Sequence, residues 1–123
     1  MNYSTKKKHN RKYFVSVIGL GYVGLPLAIE LAKKLNVVAF DINKKRINQL
    51  QLNIDKNNEI KPNQINSTRD KILFTNSASD LKKSNFYIIT VPTPINKNKK
   101  PDLSHLKNAT YLVAKFLKKK DIV

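Results

Sequence analysis

The stretch that most restricts what this chain can fold into is residues 14–41: an apolar strand, a glycine-rich turn, an amphipathic helix and a second strand ending in an acid. Val15 to Ile18 is apolar and rich in β-branched residues, as a strand covered on both faces of a parallel sheet should be. Gly19, Gly21 and Gly24 follow at G-x-G-x-x-G spacing. The first lets the chain turn out of the strand, the second leaves bare backbone for a pyrophosphate, and the third lets the helix lie close to the sheet. The N–H groups and positive dipole end of that helix then face the anion.

The surrounding residues fit this pattern. Leu25, Ala28, Ile29, Ala32 and Leu35 fall at i, i+3, i+4, i+7 and i+10 on one helical face, with Glu30, Lys33 and Lys34 on the other. Pro26 sits in the opening turns, where a missing N–H costs little. Asn36 is read as a left-handed stop, and Val37 to Phe40 as a second buried strand that delivers Asp41 about 20 residues after the glycines. Asp41 can accept hydrogen bonds from ribose hydroxyls and repels a 2′-phosphate, which favours NAD over NADP. The alternative is a tight turn with no ligand and a surface aspartate.

The length, 123 residues, makes one domain, short for a complete dinucleotide-dependent enzyme. No apolar run approaches the roughly 20 residues of a membrane span, and the basic start has no apolar stretch behind it. The expected compartment is the cytoplasm, with no membrane partner. The chain has no cysteine, so it offers no disulfide, thiolate metal site or thiol nucleophile. A net charge of +16 invites a nucleic-acid reading. The charge is almost all lysine, spread along the chain, with only Arg11, Arg46 and Arg69, whereas base readout and bidentate phosphate contacts favour arginine. The expectation is weak, salt-sensitive attraction to polyanions and no specific nucleic-acid partner.

In order along the chain, residues 1–12 read as a loose basic tail, with His9 a solvated side chain, and 13–123 as the cofactor domain. Residues 43–53 form a second helix presenting Ile47, Leu50 and Ile54, with Arg46 placed to reach the adenosine end of a cofactor or to lie exposed. Residues 55–70 read as a long surface connection with at most a short helical turn. Ile72 to Thr75 is a third strand, and 77–83 a short helix with Ser77 and Asp80 in capping-box spacing. Residues 86–91 are a central fourth strand. Val91, Pro92, Thr93 and Pro94 then fix a loop at the crevice where open α/β sheets bind ligands, with the Thr93 hydroxyl free for a phosphate or ribose. A helix from Pro101 presents Leu103, Leu106, Val113 and Leu117 on one face, leaves His105 exposed without a catalytic role, and ends on Lys118, Lys119 and Lys120 against its dipole. Asp121, Ile122 and Val123 begin a fifth strand. The fold expected is α/β, a Rossmann-type doubly wound parallel sheet of order 3-2-1-4-5, the fifth strand incomplete, with helices on both faces.

The runs Val17-Ile18-Gly19-Leu20-Gly21-Tyr22-Val23-Gly24-Leu25-Pro26-Leu27-Ala28 and Phe40-Asp41-Ile42-Asn43, then residues 86–95, Pro101-Asp102-Leu103 and Asp121-Ile122-Val123, resemble the amino-terminal domain of the UDP-glucose/GDP-mannose dehydrogenase family. Within it they are most similar to the UDP-N-acetyl-hexosamine 6-dehydrogenases of capsule and O-antigen polysaccharide synthesis. The resemblance implies NAD-dependent, two-step oxidation of a sugar C6 alcohol to a carboxylate through a thiohemiacetal on a cysteine. It implies that the backbone at Tyr22 and Val23 meets the pyrophosphate, that Asp41 holds the adenosine ribose with Arg46 near the same end, and that Thr93 contacts the cofactor. The family's catalytic cysteine, lysine and asparagine have no counterpart here, and Lys120 replaces its glycine before Asp-Ile-Val. The expectation is therefore an incomplete dehydrogenase, the cofactor half of the enzyme, catalytically incompetent alone. A UDP-sugar partner would require the missing domains, and the unpaired sheet edge favours self-association. A standalone NAD-sensing module and a basic nucleic-acid binder are the alternatives.

Overall fold

The computed structural model describes residues 11–123; the Lys6 to Lys8 run and His9 lie outside the described residues. Four parallel strands form one sheet in the order β3-β2-β1-β4. They are β1 (Val15–Ile18), β2 (Val37–Phe40), β3 (Ile72–Thr75) and β4 (Phe86–Ile89). Val15 pairs with Val37 and with Phe86, and Val37 with Ile72, so the strands run in step. Ile122 adds to the outer side of β4 through a single parallel bridge to Phe86, with the Tyr87 N–H donating to its carbonyl at 2.8 Å.

The two-residue period of the strands divides the core in two. Val15, Val17, Val37 and Ala39 face α1 (Gly24–Ala32), α2 (Lys44–Gln51) and α3 (Pro62–Asn66), where they pack with Leu25, Ile29, Ile47, Leu50 and Ile65. Ile18, Val38, Phe40 and Tyr87 face a 3-10 helix (Ala78–Lys83) and α4 (Ser104–Ala114), where they pack with Leu81, Ala109 and Val113. Each large side chain so buried contributes roughly 1.5–3 kcal/mol. The sheet is therefore covered on both faces, as its apolar strands require. Ser16 is fully buried among them, and its hydroxyl is satisfied by that of Ser84 at 2.6 Å.

Several local expectations are corrected. Asn36 is not left-handed: positive φ among non-glycine residues occurs at Asn53, Asn58, Lys99 and Lys120. Asn36 is already drawn into the sheet, its carbonyl accepting from the Val15 N–H at 3.1 Å. The Ser77–Asp80 capping box does not form, because Asp80 instead accepts from the Thr75 hydroxyl at 2.7 Å and pairs with Lys83 at 3.2 Å. The apolar face of α4 is not the leucine set. Leu103 and Leu117 lie outside the helix, where helical spacing no longer applies, and the buried residues are Ala109 and Val113, with Leu112 and Phe116 partly covered. Lys118, Lys119 and Lys120 lie past the end of α4 at Ala114, in a turn closed by Asp121, whose carboxylate accepts from the Lys118 N–H at 2.9 Å. The fourth strand stops at Ile89 and sits at one side of the four-stranded sheet. Residues 55–70 hold more structure than a surface connection: Ile65 and Asp55 are both buried. Arg11 and Lys12, at the end of the stretch read as a tail, touch the body of the domain. Arg11 bonds the Lys120 carbonyl and Asp121, and the Lys12 carbonyl accepts from Asn85 at 2.9 Å.

No helix among the described residues is long and apolar enough to cross a membrane.

Candidate functional site

The carboxyl ends of β1, β2 and β4 open onto a cavity of about 480 Å³. Its floor is the turn after β1. Gly19 has φ +99°, a conformation that L side chains rarely adopt. A Cβ on Gly24 would lie 1.7 Å from the Gly19 carbonyl oxygen and 2.5 Å from the Thr90 hydroxyl, so only glycine lets α1 begin there. Gly21 is different, because a Cβ on it would meet nothing within 4 Å. Protein packing does not demand glycine at that position; the open space fits a group approaching bare backbone. The chain's three glycines all lie in this turn. Helix α1 is preceded by Val23 with no side-chain cap and no acid in its first turn; the Leu25 N–H is taken by the Gly21 carbonyl at 3.2 Å and Pro26 has none, so the donors left for an anion lie ahead of Leu25.

Consecutive peptides of the turn are pinned by side chains from three other elements. The Gly19 carbonyl accepts from the Thr90 hydroxyl at 2.7 Å. The next N–H, that of Leu20, donates to Asp41 Oδ2 at 2.9 Å, and the Leu20 carbonyl accepts from Arg46 Nε at 2.9 Å. The second Asp41 oxygen accepts from the Asn43 N–H at 2.9 Å. Arg46 is held in turn by Asp55, Nη1 to Oδ1 at 2.8 Å, with side-chain exposures of 11% and 0%. Burial pushes the Asp55 carboxyl up, but Arg46 and the N–H groups of Ile60, Asn57 and Glu59 outweigh it and leave the pKa below the ordinary value. Arg46 Nη2 is buried and has no protein partner, although its residue lines the cavity.

Of the residues singled out from the sequence, Gly19, Gly21, Asp41, Arg46, Val91 and Pro92 line this cavity. Gly24 packs beneath the turn, Tyr22 and Val23 place exposed side chains at the start of α1, and Thr93 lies exposed in the loop beyond Pro92, outside the lining. His105, with Asn108, Ala109 and Leu112, lines the opposite wall at i, i+3, i+4 and i+7 of α4. That face mixes polar and apolar residues, and a search for apolar periodicity passes over it. Lys56 and Asn57 enter from the loop that Asp55 organises. Thr90 and Asp55 had no signal as site residues, because neither reaches the cavity wall.

The lining carries three cations, Lys45, Arg46 and Lys56, against one carboxylate, Asp41. A group with two phosphates and a ribose diol fits this set: the orphaned Arg46 nitrogen, the uncapped helix start, the space over Gly21 and the free lone pairs of Asp41 each lack a partner that such a ligand carries. Fold and site together define a doubly wound dinucleotide-binding domain.

Comparison with known proteins narrows the class. The model of the UDP-glucose/GDP-mannose dehydrogenase family, NAD binding domain, matches residues 13–123, and the chain belongs to that family. Its dinucleotide is NAD. A UDP-N-acetyl-D-glucosamine 6-dehydrogenase of Pseudomonas aeruginosa is 49% identical over 89% of this chain and 26% of its own length. Protein CapL of Staphylococcus aureus is 47% identical over 89% of this chain and 25% of its own. Among solved structures, UDP-D-ManNAc dehydrogenase of Pyrococcus horikoshii superposes with a TM-score of 0.80 at 33% identity, covering 88% of this chain and 27% of that one. The chain thus spans about a quarter of the length of the curated relatives it matches.

Proposed function

We propose that this chain is the NAD-holding part of a nucleotide-sugar 6-dehydrogenase that oxidises the C6 alcohol of a UDP-N-acetyl-hexosamine to a uronic acid for a cell-surface polysaccharide. The observation that carries the reading is the open, pinned turn around Gly21 beside Asp41. The name and the 49% identity of the Pseudomonas aeruginosa relative support the choice of sugar class. When bound, NAD supplies a hydride acceptor at each oxidation level. The residues of this chain bind and orient it: the backbone at Gly21, Tyr22 and Val23 meets the pyrophosphate, Asp41 holds the adenosine ribose, Arg46 supplies a cation at the same end, and Val91, Pro92 and Thr93 border the cofactor where it leaves the sheet.

The chain contains no cysteine to carry a covalent intermediate, so in isolation it binds NAD and turns nothing over. Residues 13–123 are the binding unit, preceded by a basic segment at 1–12. The domain works in the cytoplasm and self-associates through its open sheet edge. Titration calorimetry with NAD should show binding that Asp41→Ala weakens, and incubation with NAD and UDP-N-acetyl-hexosamines should give no NADH. Turnover by the chain alone would overturn the division of labour. DNA binding that is strongly salt-dependent and indifferent to Asp41→Ala would point to a nucleic-acid role for its lysines.

A further inference from the structure

Thr90 and Asp55 lie outside the cavity lining, yet the two ends of the turn's hydrogen-bond chain rest on them. Thr90 follows β4, and its hydroxyl lies 2.7 Å from the Gly19 carbonyl and 3.2 Å from that of Ile18. A hydroxyl has one proton to give, and both of these acceptors belong to the exit of β1. At the far end Asp55 accepts from Arg46 and from the N–H groups of Asn57, Glu59 and Ile60 at 2.8–3.0 Å. Between them run Gly19, Leu20, Asp41 and Arg46, with the Gly19 carbonyl, the Leu20 N–H and the Leu20 carbonyl each taken by a side chain.

Gly19 and Gly21 bring great conformational freedom to this segment, and an unpinned turn would sample many arrangements of its N–H groups. Binding would then carry the cost of selecting one. Resting on the reading of the cavity as the NAD site, we infer that Thr90 and Asp55 are positioning residues: they hold the Gly19–Leu20–Gly21 backbone in its cofactor-ready form before NAD arrives, and Asp55 does so through Arg46. Neither touches the ligand. Their contribution appears as affinity, by removing alternatives that the free protein would otherwise populate.

Thr90→Ala, Thr90→Ser and Asp55→Asn in the 123-residue chain test this, with NAD dissociation constants from calorimetry and amide hydrogen exchange of the free protein. Thr90→Ala should weaken NAD about tenfold, the scale of one buried carbonyl left without its donor. Thr90→Ser, which keeps the hydroxyl, should bind within about twofold of the parent by the same scale. Exchange at Leu20, whose N–H is held by Asp41, should quicken in Thr90→Ala and stay unchanged at Val17 and Ala39 in the strands. Asp55→Asn should raise the same exchange rate from the other end of the chain of bonds.

Serine and alanine variants of equal affinity, or exchange that quickens throughout the sheet, would overturn the positioning role and leave Thr90 as ordinary packing. A parent chain that binds no NAD at millimolar concentration would instead refute the cofactor reading on which the role rests.

Discussion

Gly21→Ala separates a glycine kept for a ligand from a glycine kept for the fold. The added methyl has no protein atom within 4 Å, and Gly21 does not occupy the left-handed region, so alanine fits the existing backbone. Such a replacement stabilises by about 0.4–1 kcal/mol, because the unfolded chain has fewer states to lose. With an unfolding entropy of ~2.1 cal/mol/K per residue, a domain of this size has ~0.25 kcal/mol/K in all, so Tm should rise by about 2 to 4 °C. The same methyl stands where a phosphate would approach the bare backbone. Losing one or two charge-assisted hydrogen bonds of about 1.5 kcal/mol each weakens NAD roughly 10- to 100-fold. Thermal melts with and without NAD read both effects at once. In the parent, NAD at a hundred times Kd adds about 2.7 kcal/mol, or roughly 10 °C, while a variant bound a hundredfold more weakly gains about 0.4 kcal/mol. Gly24→Ala is the opposite case: its methyl would overlap the Gly19 carbonyl and crowd the Thr90 hydroxyl, and the melt should fall by roughly 10 °C or disappear. A Gly21→Ala protein that melts several degrees lower, or that keeps the full NAD shift, would refute the assignment of the space over Gly21 to the cofactor.

Lys120 has φ +73°, which costs an L residue about 1–2 kcal/mol and suits glycine. After the entropy that glycine loses on folding, Lys120→Gly should gain about 0.5–1 kcal/mol; a denaturant midpoint at or below that of the parent would refute the strain. Asp55 and Asp80 both have folded pKa values below the ordinary value for an aspartate, so the unfolded chain binds more protons in acid and stability falls as pH drops through the range where these carboxylates protonate. Melts from about pH 6 to pH 3 should therefore descend at the acid end, and Asp55→Asn should flatten that descent. Asp41→Ser removes the one carboxylate of the cavity lining, and the NADP-to-NAD affinity ratio should rise on the order of tenfold; an unchanged ratio would show that Asp41 is not the discriminating group.

The strand, turn and helix around the glycines were legible because each carries a local signature: apolar β-branched residues, glycine spacing and a 3.6-residue stripe. Strand order followed from the same unit by the rules of doubly wound sheets, and the observed β3-β2-β1-β4 arrangement matches its first four places, with a single bridge at Ile122 in place of a fifth strand. The misreadings fall where several partners compete for one group. Asp80 had a capping N–H in sequence reach, but the Thr75 hydroxyl took it. The leucines flanking α4 had helical spacing, but the helix had ended before the last of them and not begun at the first.

Arg46 and Asp55 show the limit most clearly. The amino-acid sequence placed Arg46 one turn into α2, where it could point to ligand or to solvent, and it placed Asp55 in a polar run with no period. Only the folded chain brings the nine-residue separation between them to 2.8 Å, buries Asp55, leaves Arg46 mostly covered, and closes the link through Leu20 to the turn. Local residue pattern determines strands, helices and the glycine turn because their interactions lie within a few residues. Tertiary structure alone decided which polar groups hold that turn, because their desolvation and pairing depend on neighbours distant in sequence, Thr90 lying 71 residues from Gly19.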